Sequence, residues 1–358
     1  MPSVPHDHRS RPDQGWRVLD VPRAHHDSYP PNQRPRLRPT WDVFGWSFLL
    51  ITVISLVVSA LTPAVFMLFP GPGPVALASL YAVVFVAVAW FILSRLLIYR
   101  GTPWLLAGAA VLWGMSGSFA IGAFTVSQQL IDLSYSWGID ELALSLGGAY
   151  PEELAKALGV WLLLHVGRAW WNRPWHGLVA GMLVGFGFEA FENAGYAVML
   201  GVYHPTSDLA GVSWMWLIRL VAGPLLHAIC TGLVGFGIGM AVYAAGLTWK
   251  RRLSWILASG LAGFFVHAGW NLQLDSTAAT VVHLVGSWGL GAALLVIAII
   301  ISTKEARALA AVGRYPAVSI YQRIPTPRPV TPPVVPMPPP VPPSNHHPGN
   351  PGRDPHGR

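Results

Sequence analysis

Apolar residues form long, nearly unbroken runs through the middle of the chain. They cover about residues 43–69, 74–98, 103–128, 142–167, 175–203, 212–246, 253–274 and 279–302. Runs of roughly 20 apolar residues are long enough to cross a bilayer as helices. Helix breakers sit between them: Pro70-Gly71-Pro72-Gly73-Pro74, Gly101-Thr102-Pro103, Asn172-Arg173-Pro174 and His204-Pro205. The pattern predicts an all-α, polytopic transmembrane bundle of about eight spans over residues 41–302. Residues 1–40, rich in Pro, Arg, His and Asp, read as a disordered basic tail. Residues 303–358 read as a second disordered tail, dense in proline and extended at 325–343. No internal repeat is evident.

Composition supports this reading. Of the 358 residues, 53% are apolar and only 11% charged, whereas soluble domains carry about 25% charged residues. The lone Cys230 excludes a disulfide framework and a cysteine zinc site. No short apolar core with a small-residue cleavage site appears near the start, so no cleavable leader is expected.

The charge pattern tests the count of spans. Basic residues of membrane proteins gather on the cytoplasmic side. Here they precede the first run or follow the second, fourth, sixth and eighth, and the other connections hold no Lys or Arg. The pattern predicts a cytoplasmic-membrane protein with both termini in the cytoplasm. It also accounts for the net charge of +7 without a nucleic-acid partner. Only Lys156 and Arg219 are left over, both inside apolar runs.

Charged and polar groups inside those runs point to chemistry. Glu152-Glu153-x-x-Lys156, Glu189-x-x-Glu192-Asn193, His227 and His267-x-x-x-Asn271 lie on four different runs. Ionisable groups in hydrocarbon cost about 2.5 kcal/mol or more each, so they are rare and usually functional. At about 1.5 Å per residue, Glu152, Glu192, His227 and His267 lie roughly 16, 17, 22 and 10 Å below the outer ends of their spans. These depths overlap within boundary error, so one shared site is expected. Residues three or four apart share a helix face. That spacing joins Glu152 and Glu153 to Lys156, and His267 to Asn271. The two glutamates point about 100° apart, which predicts one facing a cavity and one pairing with Lys156 or a neighbouring helix. Gly147, Gly148 and Pro151 suggest a helix broken just before them. Bland readings stand beside these. Glu189 reads as a hydrogen-bond partner of a neighbouring helix, and His227 alone reads equally well that way. Arg219 reads as snorkelling outward or pairing with Asp208.

His-Glu-x-x-His and Gly-x-Gly-Asp signatures are absent. Gly114-Met115-Ser116-Gly117 has the Gly-x-Ser-Gly form of rhomboid serine proteases, but it leaves the glutamates unexplained. Taken together, Pro151-Glu152-Glu153-Leu154-Ala155-Lys156, Phe188-x-x-x-Glu192-Asn193, His227-Ala228 and His267-x-x-x-Asn271 resemble the PrsW family of intramembrane proteases over residues 140–275. That family is related to CAAX prenyl endopeptidases. The resemblance implies cleavage of a membrane-anchored protein, with an anti-sigma factor as the family's theme. It implies a site of Glu152, Glu153, Glu192, His227, His267 and Asn271, supported by Lys156 and Asn193. Glu192 stands where the CAAX relatives have a histidine.

Two chemistries remain open at this level. In one, a glutamate activates water directly, with His267 and Asn271 as oxyanion donors. In the other, Glu152, Glu192, His227 and His267 ligate a divalent metal, with Zn²⁺ the first expectation from nitrogen and oxygen ligands. Readings from other classes are a proton-coupled transporter using the same Glu and His groups, and a scaffold acting through its Pro-rich tail.

Overall fold

The computed structural model describes residues 19–22, 42–168, 170–244, 247–312 and 314–317. Most of both predicted tails, including the Pro-rich stretch at 325–343, lies outside these residues. Within the described residues, β1 (Leu19–Pro22) pairs antiparallel with β2 (Arg314–Ala317), so these short pieces of the two tails are strands.

The rest is helical. α1 (Val43–Phe66) and α2 (Pro72–Ser94) come first. Asp42 starts α1 by accepting the N–H groups of Phe44 and Gly45, both at 3.1 Å. It also pairs with Arg168 at 2.8 Å. Next come α3 (Trp104–Trp113), α4 (Phe119–Phe124) and α5 (Ser127–Ser136), with a π-helical turn at Gly114–Ser118 joining α3 to α4. A second π turn, Ser145–Ala149, leads into α6 (Tyr150–Val166). The chain is thus wound through Gly147 and Gly148 and not broken there. α7 (Pro174–Gly201), α8 (Asp208–Ala222), α9 (Leu226–Tyr243), α10 (Trp249–Asn271) and α11 (Thr277–Val312) complete the bundle. α11 runs ten residues beyond the predicted end of its span. Thr303-Lys304-Glu305-Ala306-Arg307-Ala308 is rich in good helix formers and carries it on.

Six helical stretches among the described residues are long and apolar enough to cross a membrane. They are Val43–Phe66, Pro72–Ser94, Trp104–Ser136, Leu226–Tyr243, Trp249–Asn271 and Thr277–Ala308. This is a multi-pass membrane protein. The expected eight are reached only by adding α6, which is 17 residues long, and α7, which is 28 residues long and carries two glutamates. Val53, Val57, Val83, Ile92, Val282 and Val285 are each at least half exposed. Such faces belong against lipid and not water.

One predicted span is corrected. Residues 212–246 are not one helix, because the chain breaks at Gly223-Pro224-Leu225 between α8 and α9. Pro224 has no N–H for the helix ladder, and Leu225 adopts a left-handed conformation at φ 61°. α8 and then α9 run antiparallel along α7. Gly211 meets Gly201 near one end, and Gly239 meets the start of α7 near the other.

α7 and α9 form the centre of the bundle, buried along nearly their whole contact. Small residues make this possible. Gly177, Gly181 and Gly185 recur every fourth residue on α7 and face Gly235, Thr231 and Ala228 of α9. Close backbone approach through small residues is a common basis of helix packing in lipid. Gly114 packs in the same way on α7 at Val184 and Phe188. The hydroxyl of the neighbouring Ser116 donates to Leu112 O at 2.6 Å. The Gly-x-Ser-Gly stretch is therefore a buried packing element.

Candidate active site

The first two turns of α6 carry Glu152, Glu153 and Lys156 into the centre of the bundle. Their height is set by local ties. Ser145 of the π turn donates to Ala268 O on α10 at 2.7 Å, next to His267. Trp113 of α3 donates to Ala155 O at 3.2 Å. The break between α8 and α9 places His227 in the first turn of α9, and Glu189 of α7 makes that break tenable. Its carboxylate accepts the N–H groups of Leu225 at 2.9 Å and His227 at 3.2 Å. The opening N–H groups of a helix have no partner within it, and Glu189 satisfies two of them. It therefore bonds a neighbouring helix.

Lys156 is the hub. Its side chain is fully buried, and the ammonium lies 3.2 Å from Glu152 Oε2, 3.0 Å from Glu153 Oε1 and 2.9 Å from His227 Nδ1. Three acceptors match the three N–H donors of the ammonium. The same nitrogen sits 3.7 Å above the Phe188 ring, a favourable place for a cation.

Neighbours assign the imidazole protons. Lys156 only donates, so His227 Nδ1 accepts and its Nε2 carries the hydrogen, which goes to Glu192 Oε2 at 2.9 Å. His267 Nδ1 faces Glu153 Oε1 at 2.9 Å, and its Nε2 lies 3.7 Å from Glu152 Oε2. The two imidazole rings meet edge to face at 4.7 Å. The adjacent glutamates thus divide their work. Glu153 is buried under Lys156 and His267, whereas Glu152 lines a cavity.

That cavity holds about 690 Å³. α1 packs on α6, and α2 packs on α7 and α8. The cavity lies between them, walled by residues such as Thr62, Phe66, Ala78, Ala82, Phe119 and Phe191. Glu152, Phe188 and Glu192 line its edge nearest Lys156 and His227.

The predicted groups do not all sit in one ring. Glu152, His227 and His267 come together, with one possible ligand atom from each lying within 4.8 Å of the others. Glu192 stands one step outside this set, bonded to His227 and to Arg219. Asn193 is buried beside it and accepts from Arg219 Nε. Asn271 is at the rim, where its amide donates to Leu144 O at 3.3 Å and lies next to Gly148.

Arg219 itself is corrected. Its partners are Glu192 and Asn193 rather than Asp208 or the outer surface, and its guanidinium lies 4.7 Å from the Tyr196 ring centre. Its signal in the sequence was its place as a leftover basic residue inside an apolar run. Its partners, 26 and 27 residues away, left no local spacing to read.

No curated protein and no solved structure matches the chain. A family model described as PrsW family intramembrane metalloprotease matches residues 102–307, from α3 into α11. That stretch is more than half of the chain and contains the whole Glu152–His227–His267 arrangement. The chain belongs to the PrsW family of intramembrane metalloproteases.

Proposed function

We propose that this protein hydrolyses peptide bonds of membrane-anchored proteins, an anti-sigma factor being one such substrate, at the Glu152–His227–His267 group. The observation that carries this reading is the convergence of these side chains, with Glu152 at the edge of an apolar cavity. Such a cavity accepts an apolar peptide segment, and Glu152 meets it there. The placement of basic residues supports a cytoplasmic membrane location, with both termini on the cytoplasmic side and α8 and α9 together making one broken crossing.

The donors suit the divalent ion that the family implies. Glu152 offers a carboxylate and His267 its Nε2, with Glu153 gripping the ring at Nδ1. Metal-ligating histidines are commonly held by such a carboxylate. Glu152, His227 and His267 would hold the ion, and zinc suits these donors. When bound, it would polarise the scissile carbonyl and acidify a water molecule.

The chain's own residues supply the rest. Glu152 takes the proton of the attacking water and passes it to the leaving amine. Asn271 donates an amide hydrogen to the developing oxyanion. Arg219 holds Glu192, and Glu192 holds the Nε2–H of His227. The test is reconstitution of the purified protein in proteoliposomes with a membrane-anchored reporter. Cleavage of the reporter is expected. Proton-coupled solute uptake with no cleavage would overturn the reading.

A further inference from the structure

Glu152, His227 and His267 can share a divalent ion only by closing around one point, and a cation already lies against two of them. The Lys156 ammonium lies 3.2 Å from Glu152 Oε2 and 2.9 Å from His227 Nδ1. It takes up the very lone pair by which His227 would ligate, since the other ring nitrogen is spent on Glu192. Charge runs the same way. Lys156 stands between two carboxylates, Glu152 and Glu153, and offsets one of their two negative charges. Without it, two uncompensated charges remain, the number that a divalent ion neutralises.

We propose that Lys156 is a built-in occupant of the cation position, so that its ammonium and a divalent metal exclude one another. The inference rests on the reading of the Glu152–His227–His267 group as the reactive centre. Lys156 is a positioning residue here. With its ammonium in place, His227 faces Glu192 and the three ligands are closed to metal. With its side chain withdrawn, His227 Nδ1 is freed and the triad is complete. Affinity for metal in this chain is therefore set by the position of one lysine. The neighbouring Phe188 ring and the carboxylates hold that lysine in the closed arrangement.

The test reads binding and not proteolysis, so its failure leaves the proposed activity untouched. Purified protein is titrated with Co²⁺ and followed by the visible absorption of the bound ion, then with Zn²⁺ by calorimetry. Lys156→Met is expected to bind each ion at least tenfold more tightly than wild type, and His227→Ala in that background should remove the gain. Lys156→Arg, which keeps the positive charge, should stay as weak as wild type. Where Lys156→Met does not fold, Lys156→Gln, which keeps a hydrogen-bond donor for Glu153, replaces it. Metal affinity unchanged or reduced in the neutral variant, or raised equally in Lys156→Arg, would overturn the proposal.

Discussion

Adding a single methyl group at Gly185 tests how the site is held together. Gly185 lies on α7, one turn before Glu189, where α7 meets the start of α9. A Cβ built there falls 2.5 Å from both Ala228 Cα and the His227 carbonyl, about 0.9 Å inside the 3.4 Å at which ordinary contact begins. Both neighbours are backbone atoms, so no flexible side chain can move aside. The helices must part by something close to that amount. His227 moves with α9, while Glu192 stays on α7. Their 2.9 Å hydrogen bond then stretches out of bonding range.

Overpacking of this kind costs about 1–3 kcal/mol of stability, and a misplacement of about 1 Å at a reacting group costs about 100-fold in rate. Gly185→Ala is therefore expected to fold in detergent with a lowered thermal midpoint and to cleave a membrane-anchored reporter about 100-fold more slowly. Gly260→Ala on α10, where a Cβ meets nothing within 4 Å, serves as control and should neither lower the midpoint nor slow cleavage. Wild-type cleavage by Gly185→Ala would refute the claim that glycine contacts between α7 and α9 place His227.

Other perturbations separate the roles of the surrounding groups. Glu189→Leu leaves the N–H groups of Leu225 and His227 without an acceptor and should cost about 1–3 kcal/mol in detergent unfolding. An unchanged midpoint would remove Glu189 from the helix break. Arg219→Ala leaves the partly buried Glu192 without its guanidinium. It should cost about 3–5 kcal/mol at the upper end and slow cleavage, with Arg219→Lys recovering part of the rate. Equal rates in all three forms would mean that Arg219 does not hold Glu192. Ala82→Trp fills part of the cavity beside α2. It should cut cleavage at least tenfold without altering secondary structure by circular dichroism, and full cleavage would show that the substrate lies elsewhere.

Much of the membrane architecture could be read from the sequence because lipid imposes length. Runs such as 74–98 have to be helices if they are to satisfy their backbone in hydrocarbon, and α2 follows that run closely. The break at Gly223-Pro224-Leu225 was harder to see. Its flanks, Leu220-Val221-Ala222 and Leu226, are as apolar as the spans themselves, so hydropathy passes over it. Only the Glu189 carboxylate, brought in from another helix, shows why the chain tolerates it. The glutamates and histidines stood out singly because charge in lipid is costly, and i, i+3 and i, i+4 spacing correctly tied Glu152 and Glu153 to Lys156. Their assignment to one another was not legible. That Glu153 rather than Glu152 grips His267 Nδ1, and that Arg219 takes Glu192, depends on how α6, α7, α8 and α10 rotate about their axes. Those rotations are set by glycine contacts between distant segments.

The most direct test of the account is one substitution, Glu152→Gln, in purified protein reconstituted with a membrane-anchored reporter, with the products identified by mass spectrometry. The glutamine keeps the size and the contact with Lys156 but cannot take a proton from water. Cleavage is expected to be abolished, while the thermal midpoint and detergent-solution elution stay close to those of wild type. A correctly folded Glu152→Gln protein that still cuts the reporter at the wild-type rate and position would contradict the assignment of this group as the reactive centre.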